Sequence, residues 1–149
     1  MTLLAMLAVL AGCWFSPSIS RVWPPVVDDV RRIGGIVADT TSELSWEGHT
    51  TVTNVLVVDT RNTDSRKALE KVVALAKGRG WAVDSQGMSD RVSMRSDRWE
   101  NTRLSLTRIA SYQVDEFEDP RLAKVIRRLW KRPGSAGLVI LQLDRTDRP

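Results

Sequence analysis

The chain has 149 residues, of which 42% are hydrophobic and 27% are charged, and its formal net charge at pH 7 is +4. This length and composition fit one globular domain with a short extension, while the mild charge gives no reason to expect a nucleic-acid partner. One cysteine and one histidine exclude an intramolecular disulfide and the usual Cys/His metal patterns, so no cofactor is expected.

An apolar run over residues 3–11 runs into the sequence Leu10-Ala11-Gly12-Cys13, which contains the only cysteine. An aliphatic residue, two small residues and a cysteine form the pattern of a lipobox, and the segment resembles the signal peptide of a bacterial lipoprotein. The resemblance implies that a diacylglycerol is attached to the Cys13 sulfur and that residues 1–12 are removed. It also implies a palmitate-type lipid anchor and a location on the extracytoplasmic face of the cell membrane.

Residues 13–25 combine aromatic residues with prolines, which favour extended backbone and predict a tether. Aromatic side chains beside an acyl anchor suit the headgroup level of a bilayer, or they pack back on the domain. Two alternatives to the anchor remain open. Residues 3–15 form a buried helix with an inert Cys13, or they belong to a transmembrane helix, for which the run is short of about 20 residues.

A single domain is predicted over residues 26–145, with a polar tail at 146–149. Pro25 can open a first helix, whose apolar residues recur at helical spacing as far as Val37, although Gly34-Gly35 weakens its middle. Residues 39–48 are expected to form a polar loop. A β-branched strand is predicted over residues 50–58, and a helix over residues 65–77.

After that helix the hydrophobic period changes from 3.6 to 2, which indicates three short antiparallel strands between Trp81 and Ile109. Asp119-Pro120 then begins a helix over residues 121–131, and a last strand covers residues 138–143. The predicted order is (α)-β-α-β-β-β-α-β. It indicates an α+β fold, an antiparallel sheet with helices packed on one face, as a variant of the ferredoxin-like split βαβ arrangement.

The last predicted helix carries a basic face. Its members follow i, i+3, i+4 spacing and are Arg121, Lys124, Arg128, Lys131 and Arg132. Near an anchored membrane each such charge contributes about 1 kcal/mol of attraction to anionic headgroups. A solvated face of an arginine-rich protein is the simpler alternative, and Trp130 beside this face favours an interaction surface.

Catalytic and metal signals are weak. His49 lies at a loop-to-strand junction, and a general base there would need a nucleophile and an orienting carboxylate placed beside it by the fold. The acidic run at residues 115–119 offers oxygen ligands for Ca²⁺, but helix capping with solvation explains it more simply. The sequence contains no phosphate loop, dinucleotide fingerprint or G-x-S-x-G elbow.

The sequence therefore predicts a lipid-anchored, non-catalytic binding module at the membrane surface. Its expected partners are a membrane or wall protein, an anionic wall polymer or lipid headgroups, and no nucleic acid. One alternative is a small exported hydrolase or ligand-sequestering protein with a site near His49. Another is a soluble cytosolic α+β domain with a buried N-terminal helix.

Overall fold

The structure of the chain is a computed structural model that describes residues 18–86, 89–114 and 118–147. The strands and helices, in chain order, are β1 (Ser18–Arg21), α1 (Pro24–Arg31), β2 (Gly35–Trp46), β3 (His49–Asp59), α2 (Ser65–Lys77), β4 (Trp81–Gln86), β5 (Arg91–Ser96), β6 (Thr102–Arg108), α3 (Pro120–Trp130) and β7 (Leu138–Arg145). The α+β class expected from the sequence is confirmed.

One sheet contains all seven strands, in the order β2-β3-β7-β6-β5-β4, and neighbours in this order are antiparallel. β1 is added in parallel beside the first part of β3, where Ser18 lies opposite His49 and Arg21 opposite Val52. β7 pairs with the second part of the same edge, from Asn54 to Asp59. β1 and β7 therefore lie end to end along one side of β3.

Helices cover both faces of the sheet, because alternate residues of the central strands enter two separate cores. Leu56 and Val58 of β3 belong to the first core, with the apolar side chains of α1 and α2. Val55 and Val57 belong to the second core, with those of α3. The predicted packing of helices on one face is therefore wrong, and the ferredoxin-like comparison is not confirmed.

The sequence does not predict β1 and β2, and the segments that form them were assigned other structure. α1 ends at Arg31 rather than extending to Val37, and Val37 lies in β2. The predicted polar loop over residues 39–48 is mostly β2. Gly34 permits the transition, because a Cβ there would lie 2.8 Å from a methyl carbon of Val58. The part of the predicted tether from Ser18 to Pro25 forms β1 and the start of α1.

β2 and β3 form a long hairpin joined by a two-residue turn. Glu47 and Gly48 both have positive φ, at 47° and 81°, as a type I′ turn requires. This turn matches the twist of the flanking strands, so the hairpin continues in register up to the Trp46–His49 pair.

An ion pair joins α1 to the turn that follows α2. The Asp29 carboxylate is buried and lies 2.5 Å from a guanidinium nitrogen of Arg79, whose side chain is 29% exposed. Burial raises the pKa of Asp29, but the hydrogen bond and the charge of Arg79 outweigh it, so the pKa stays below its ordinary value. Asp29 is therefore charged at neutral pH and holds the two helices together.

We expect Asp29→Ala to lower the free energy of unfolding by about 2 kcal/mol. That is below the roughly 3–5 kcal/mol for removing one member of a fully buried pair, because Arg79 can reach water. Urea denaturation monitored by circular dichroism measures the change. Asp28→Ala is the matched control, since Asp28 is exposed beside Arg31 and its loss should cost less than about 0.5 kcal/mol. Equal losses in the two variants would contradict the structural role given to Asp29.

Candidate functional site

The described chain enters the domain at one end of the sheet, which we call the entry end. It is formed by Ser18, the hairpin turn at residues 47–48 and the β5–β6 turn at residues 97–101. The Ser18 amide donates a hydrogen bond to the Gly48 carbonyl oxygen at 3.2 Å. Cys13, the predicted lipidation residue, lies outside the described residues, five positions before Ser18.

Residues 43–52 of the hairpin form an arm that extends beyond α3. Glu118, just before α3, accepts a hydrogen bond from Ser42 of β2 at 3.3 Å, and the helix runs from there toward the other end of β3. Leu44 and Trp46 follow Ser42 on the same face of β2 and are 62% and 73% exposed. The arm therefore presents two large apolar side chains that α3 does not cover.

Two further apolar side chains are exposed at the entry end. Ile19 of β1 is 57% exposed, and Trp23, just before α1, is 64% exposed. The Trp23 ring meets Trp99 edge to face with 6.0 Å between ring centroids, and the Arg98 guanidinium lies 4.5 Å above the Trp99 ring. In the described part of the chain, no large hydrophobic residue outside Ile19, Trp23, Leu44 and Trp46 is more than half exposed.

The five predicted basic residues of α3 all lie on its outer side or just after it, and all are exposed, but two are already neutralised. Arg121 pairs with Asp119 at 2.8 Å, and Arg132 pairs with Asp59 at 3.3 Å. Lys124, Arg128 and Lys131 make no ion pair among the described residues. These three carry the unbalanced charge of what we call the basic surface.

Asp119 connects this surface to the start of α3. Its carboxylate accepts hydrogen bonds from the Arg121 amide at 2.8 Å and from the Arg121 guanidinium, which caps the helix as the sequence predicts. The Arg121 guanidinium lowers the pKa of Asp119 to about 2, against the opposing effect of burial. A folded-state pKa below the unfolded value means that this stabilisation is complete above about pH 4 and is lost as the pH falls toward 2.

We expect Asp119→Ala to cost about 1 kcal/mol of stability at pH 7, the usual loss for a removed helix cap. Asp119→Asn keeps the capping oxygen but has no charge to titrate. Its stability should therefore fall less between pH 4 and 2 than that of the wild type. Urea midpoints of the three proteins across this range measure the effect. Parallel pH profiles for wild type and Asp119→Asn would show that Asp119 contributes nothing to acid sensitivity.

Trp130 is a structural residue as well as a surface residue. Its indole N–H donates to the Ile109 carbonyl oxygen at 2.9 Å, and its side chain borders a shallow cavity of about 380 Å³ next to Ser135. The hydrogen bond fixes the end of α3 to the segment after β6. Packing therefore explains why Trp130 lies beside the basic residues.

His49 is paired with Ser18, not with a carboxylate. The Ser18 Oγ atom lies 2.7 Å from His49 Nδ1 across the β1–β3 pair. Such a contact has the geometry of a nucleophile and its base, yet no acidic side chain among the described residues hydrogen bonds to the imidazole. Ser18 is exposed and His49 half-buried on the surface of the sheet. The orienting carboxylate required of a catalytic base is therefore missing from the described site.

The structure describes only part of the acidic run at residues 115–119, because residues 115–117 lie outside the described residues. Glu118 accepts a hydrogen bond from the Tyr112 hydroxyl at 2.8 Å, and Asp119 is occupied by Arg121. Within residues 18–86, 89–114 and 118–147, no three His, Cys, Asp or Glu side chains lie together in a way that could hold a metal ion. No helix in these ranges is both long and apolar enough to cross a membrane.

Comparison of the chain with protein-family models, curated proteins and solved structures finds no match. Its function must therefore be argued from its own residues.

The sequence signals for the arm and the entry end were present but incomplete. Leu44 and Trp46 stand out as apolar residues within a polar stretch, and Trp99 as an apolar residue within a turn. Their sharing one end of the fold depends on the β1–β3 and β6–β7 pairings, which join segments far apart in the sequence.

Proposed function

We propose that this protein is a lipid-anchored, extracytoplasmic bacterial lipoprotein whose α+β domain is a non-catalytic binding module at the membrane surface. The lipobox Leu10-Ala11-Gly12-Cys13 carries the proposal. A diacylglycerol on Cys13, with the acyl chains of a mature lipoprotein, would give stable membrane residence, whereas one chain alone is marginal.

The position of the domain's first described residue supports an anchor at Cys13. Ser18 is exposed and begins an edge segment, so a tether can leave the domain there without crossing the core. The five residues from Cys13 to Ser18 reach at most about 17 Å when fully extended. An acylated Cys13 would therefore hold the entry end close to the bilayer.

Metabolic labelling with a palmitate analogue tests this proposal. We expect label on the wild-type protein and none on Cys13→Ser, because serine keeps the size of the side chain but lacks the thiol that takes the diacylglycerol. Mass spectrometry of the mature protein should place the lipid on an N-terminal Cys13. Unlabelled wild-type protein would refute the anchor.

The basic surface is the part of the domain best suited to binding a partner. Lys124, Arg128 and Lys131 project from α3 without ion pairs among the described residues, and the helix runs away from the entry end. The 11 residues of β3 span about 36 Å at roughly 3.3 Å each, several times the screening length of about 8 Å at physiological salt. The far part of the surface is thus better placed for an anionic wall polymer or acidic protein than for headgroups.

Cosedimentation with isolated cell walls tests the basic surface. The triple variant Lys124→Ala, Arg128→Ala, Lys131→Ala should lose most binding, and binding of the wild type should fall with salt. The control variant Arg66→Ala, Lys67→Ala, Lys77→Ala removes three exposed charges from α2, so it has the same net charge. Equal losses in both variants would show that only net charge matters.

The Ser18–His49 contact favours a second function, an exported hydrolase, since it brings a hydroxyl within 2.7 Å of an imidazole. Hydrolysis of a p-nitrophenyl ester by the purified protein, compared with Ser18→Ala and His49→Ala, tests it. Activity that disappears in both variants would support the hydrolase. Absence of activity in the wild type, or activity unchanged in the variants, would reject it.

A further inference from the structure

The four most exposed large hydrophobic residues of the described chain all lie at the entry end, Ile19 and Trp23 toward the face of the first core and Leu44 and Trp46 toward the face of the second. Ile19 and Leu44 are 57% and 62% exposed, and Trp23 and Trp46 are 64% and 73% exposed. Single exposed apolar residues are ordinary, but two exposed pairs at one end of a domain indicate an interaction surface. Two of the four are tryptophans, whose amphipathic rings favour the membrane–water interface.

The strand directions show why residues distant in sequence meet there. β3 begins beside the hairpin turn, β7 runs antiparallel to it, and β6 runs antiparallel to β7, so β6 also begins at this end. The β5–β6 turn, which carries Trp99, is consequently at the same end of the sheet as Trp46, although Trp99 packs against the first core and Trp46 lies on the opposite face. Trp23 is held against Trp99 by the edge-to-face contact.

α3 does not cover the exposed apolar side chains of the arm. Leu44 and Trp46 lie on the face of β2 that α3 covers farther along, and α3 begins only beside Ser42. The second core is closed by α3 over Val55 and Val57 and does not include the arm residues. The arm thus carries large apolar side chains past the point where the domain can bury them.

We propose that the entry end is a membrane-contact surface, with Trp46 and Trp23 resting in the headgroup layer of the bilayer that holds the acyl chains of Cys13. This inference rests on the proposed lipid anchor. The occupant follows from the chain: with a tether that reaches at most about 17 Å, no soluble partner of domain size fits between the anchored Cys13 and the hairpin turn.

Charge indicates what kind of lipid contact this is. Arg21 and Arg98 are exposed at the entry end, but so are Glu43, Glu47 and Asp97. The mixed signs give little attraction to anionic lipid, so the contact depends on the apolar and aromatic side chains. It should therefore form equally well on zwitterionic and anionic vesicles.

Fluorescence quenching by brominated phosphatidylcholine tests the surface in the intact, lipidated protein reconstituted into vesicles. The sequence contains six tryptophans, and Trp46→Phe should reduce the quenched emission by the share of one of them. Trp130→Phe is the matched control, because Trp130 lies near the opposite end of the domain. Its emission should not be quenched, so this variant should leave the quenched emission unchanged.

The outcomes separate this inference from the proposed anchor. Mass spectrometry first establishes whether Cys13 is lipidated, and an unlipidated protein means that the anchor proposal has failed. With lipid present, equal quenching of the wild type and Trp46→Phe would overturn the membrane-contact surface, as residues 14–17 or a second copy would then cover Trp46. Quenching that requires phosphatidylglycerol in the vesicles would overturn a contact that does not depend on charge.

Discussion

Cys13→Ala should move the protein from the membrane fraction to the soluble fraction. Each buried methylene of an acyl chain contributes about 0.8 kcal/mol to membrane residence, so removing the attachment point removes far more free energy than any surface substitution in the domain. The exposed side chains of the entry end would remain, but a few interfacial residues without acyl chains bind reversibly. Fractionation by ultracentrifugation, followed by immunoblotting, measures the distribution.

The retained signal segment needs its own control, because an unlipidated precursor keeps the apolar run of residues 3–11. A second variant replaces residues 1–13 with a cleavable secretory signal, so that no apolar segment remains before Trp14. Thr63→Ala, an exposed change in the loop after β3, should stay with the membrane. If both anchorless proteins sediment like wild type, the domain is held by something other than a lipid on Cys13.

The segments with a regular hydrophobic period could be predicted from the sequence, because the apolar residues of each segment mark the one face that is buried. α2 was expected over residues 65–77 and is found at Ser65–Lys77, with Asp64 as its cap. Leu104 and Leu106 share a parity and both enter the first core. In these segments the local hydrophobic pattern agrees with the burial found in the fold. Such agreement is usual where packing alone determines which residue type a position holds.

β1 and β2 were not predicted, because their sequences lack the apolar pattern that buried strand residues produce. β2 reads as polar from Asp39 to Ser45, since much of it lies in or near an arm that no helix covers. A register shift between Ile36 and Ala38 also breaks the alternation that would indicate a strand. Val37 happens to fall four residues after Ile33, which imitates helical spacing and extended the predicted helix too far.

The face of the sheet that each helix covers could not be predicted from the sequence either. The apolar run Val55 to Val58 indicates a central strand covered by helices on at least one face, and in the structure both faces are covered. Nothing local says that α3 crosses to the face opposite α1 and α2. That choice is made by Ile109, Leu122 and Ile126, which close the second core together.

The basic face of α3 shows how much of a candidate site the sequence supplies. Helical spacing placed its five residues correctly on one outer surface. The Arg121–Asp119 pair is local and foreseeable, whereas the Arg132–Asp59 pair joins residues 73 positions apart. Tertiary structure therefore reduced five candidate charges to three.

Trp81→Ala should be the most destabilising single change in the domain, with a loss of about 3–5 kcal/mol in the free energy of unfolding. Trp81 begins β4 at the edge of the sheet, is 2% exposed and packs in the first core with Met94. An edge strand has a partner on one side only, so the loss of its largest buried side chain should also loosen its pairing with β5. Chemical denaturation measures the stability, and hydrogen exchange of the β4 amides measures the local effect.

Trp81→Phe separates the gain from apolar packing from the cost of the unpaired indole N–H at the same position. The Trp81 indole nitrogen is buried without a hydrogen-bond partner among the described residues, and an unsatisfied buried donor costs about 1–3 kcal/mol. Phenylalanine removes that donor and keeps most of the apolar volume, so the two effects offset each other and the net loss should stay below about 1.5 kcal/mol. A loss in Trp81→Phe as large as in Trp81→Ala would contradict this offset and would mean that the full shape of the indole ring, not its apolar volume alone, holds β4 in place.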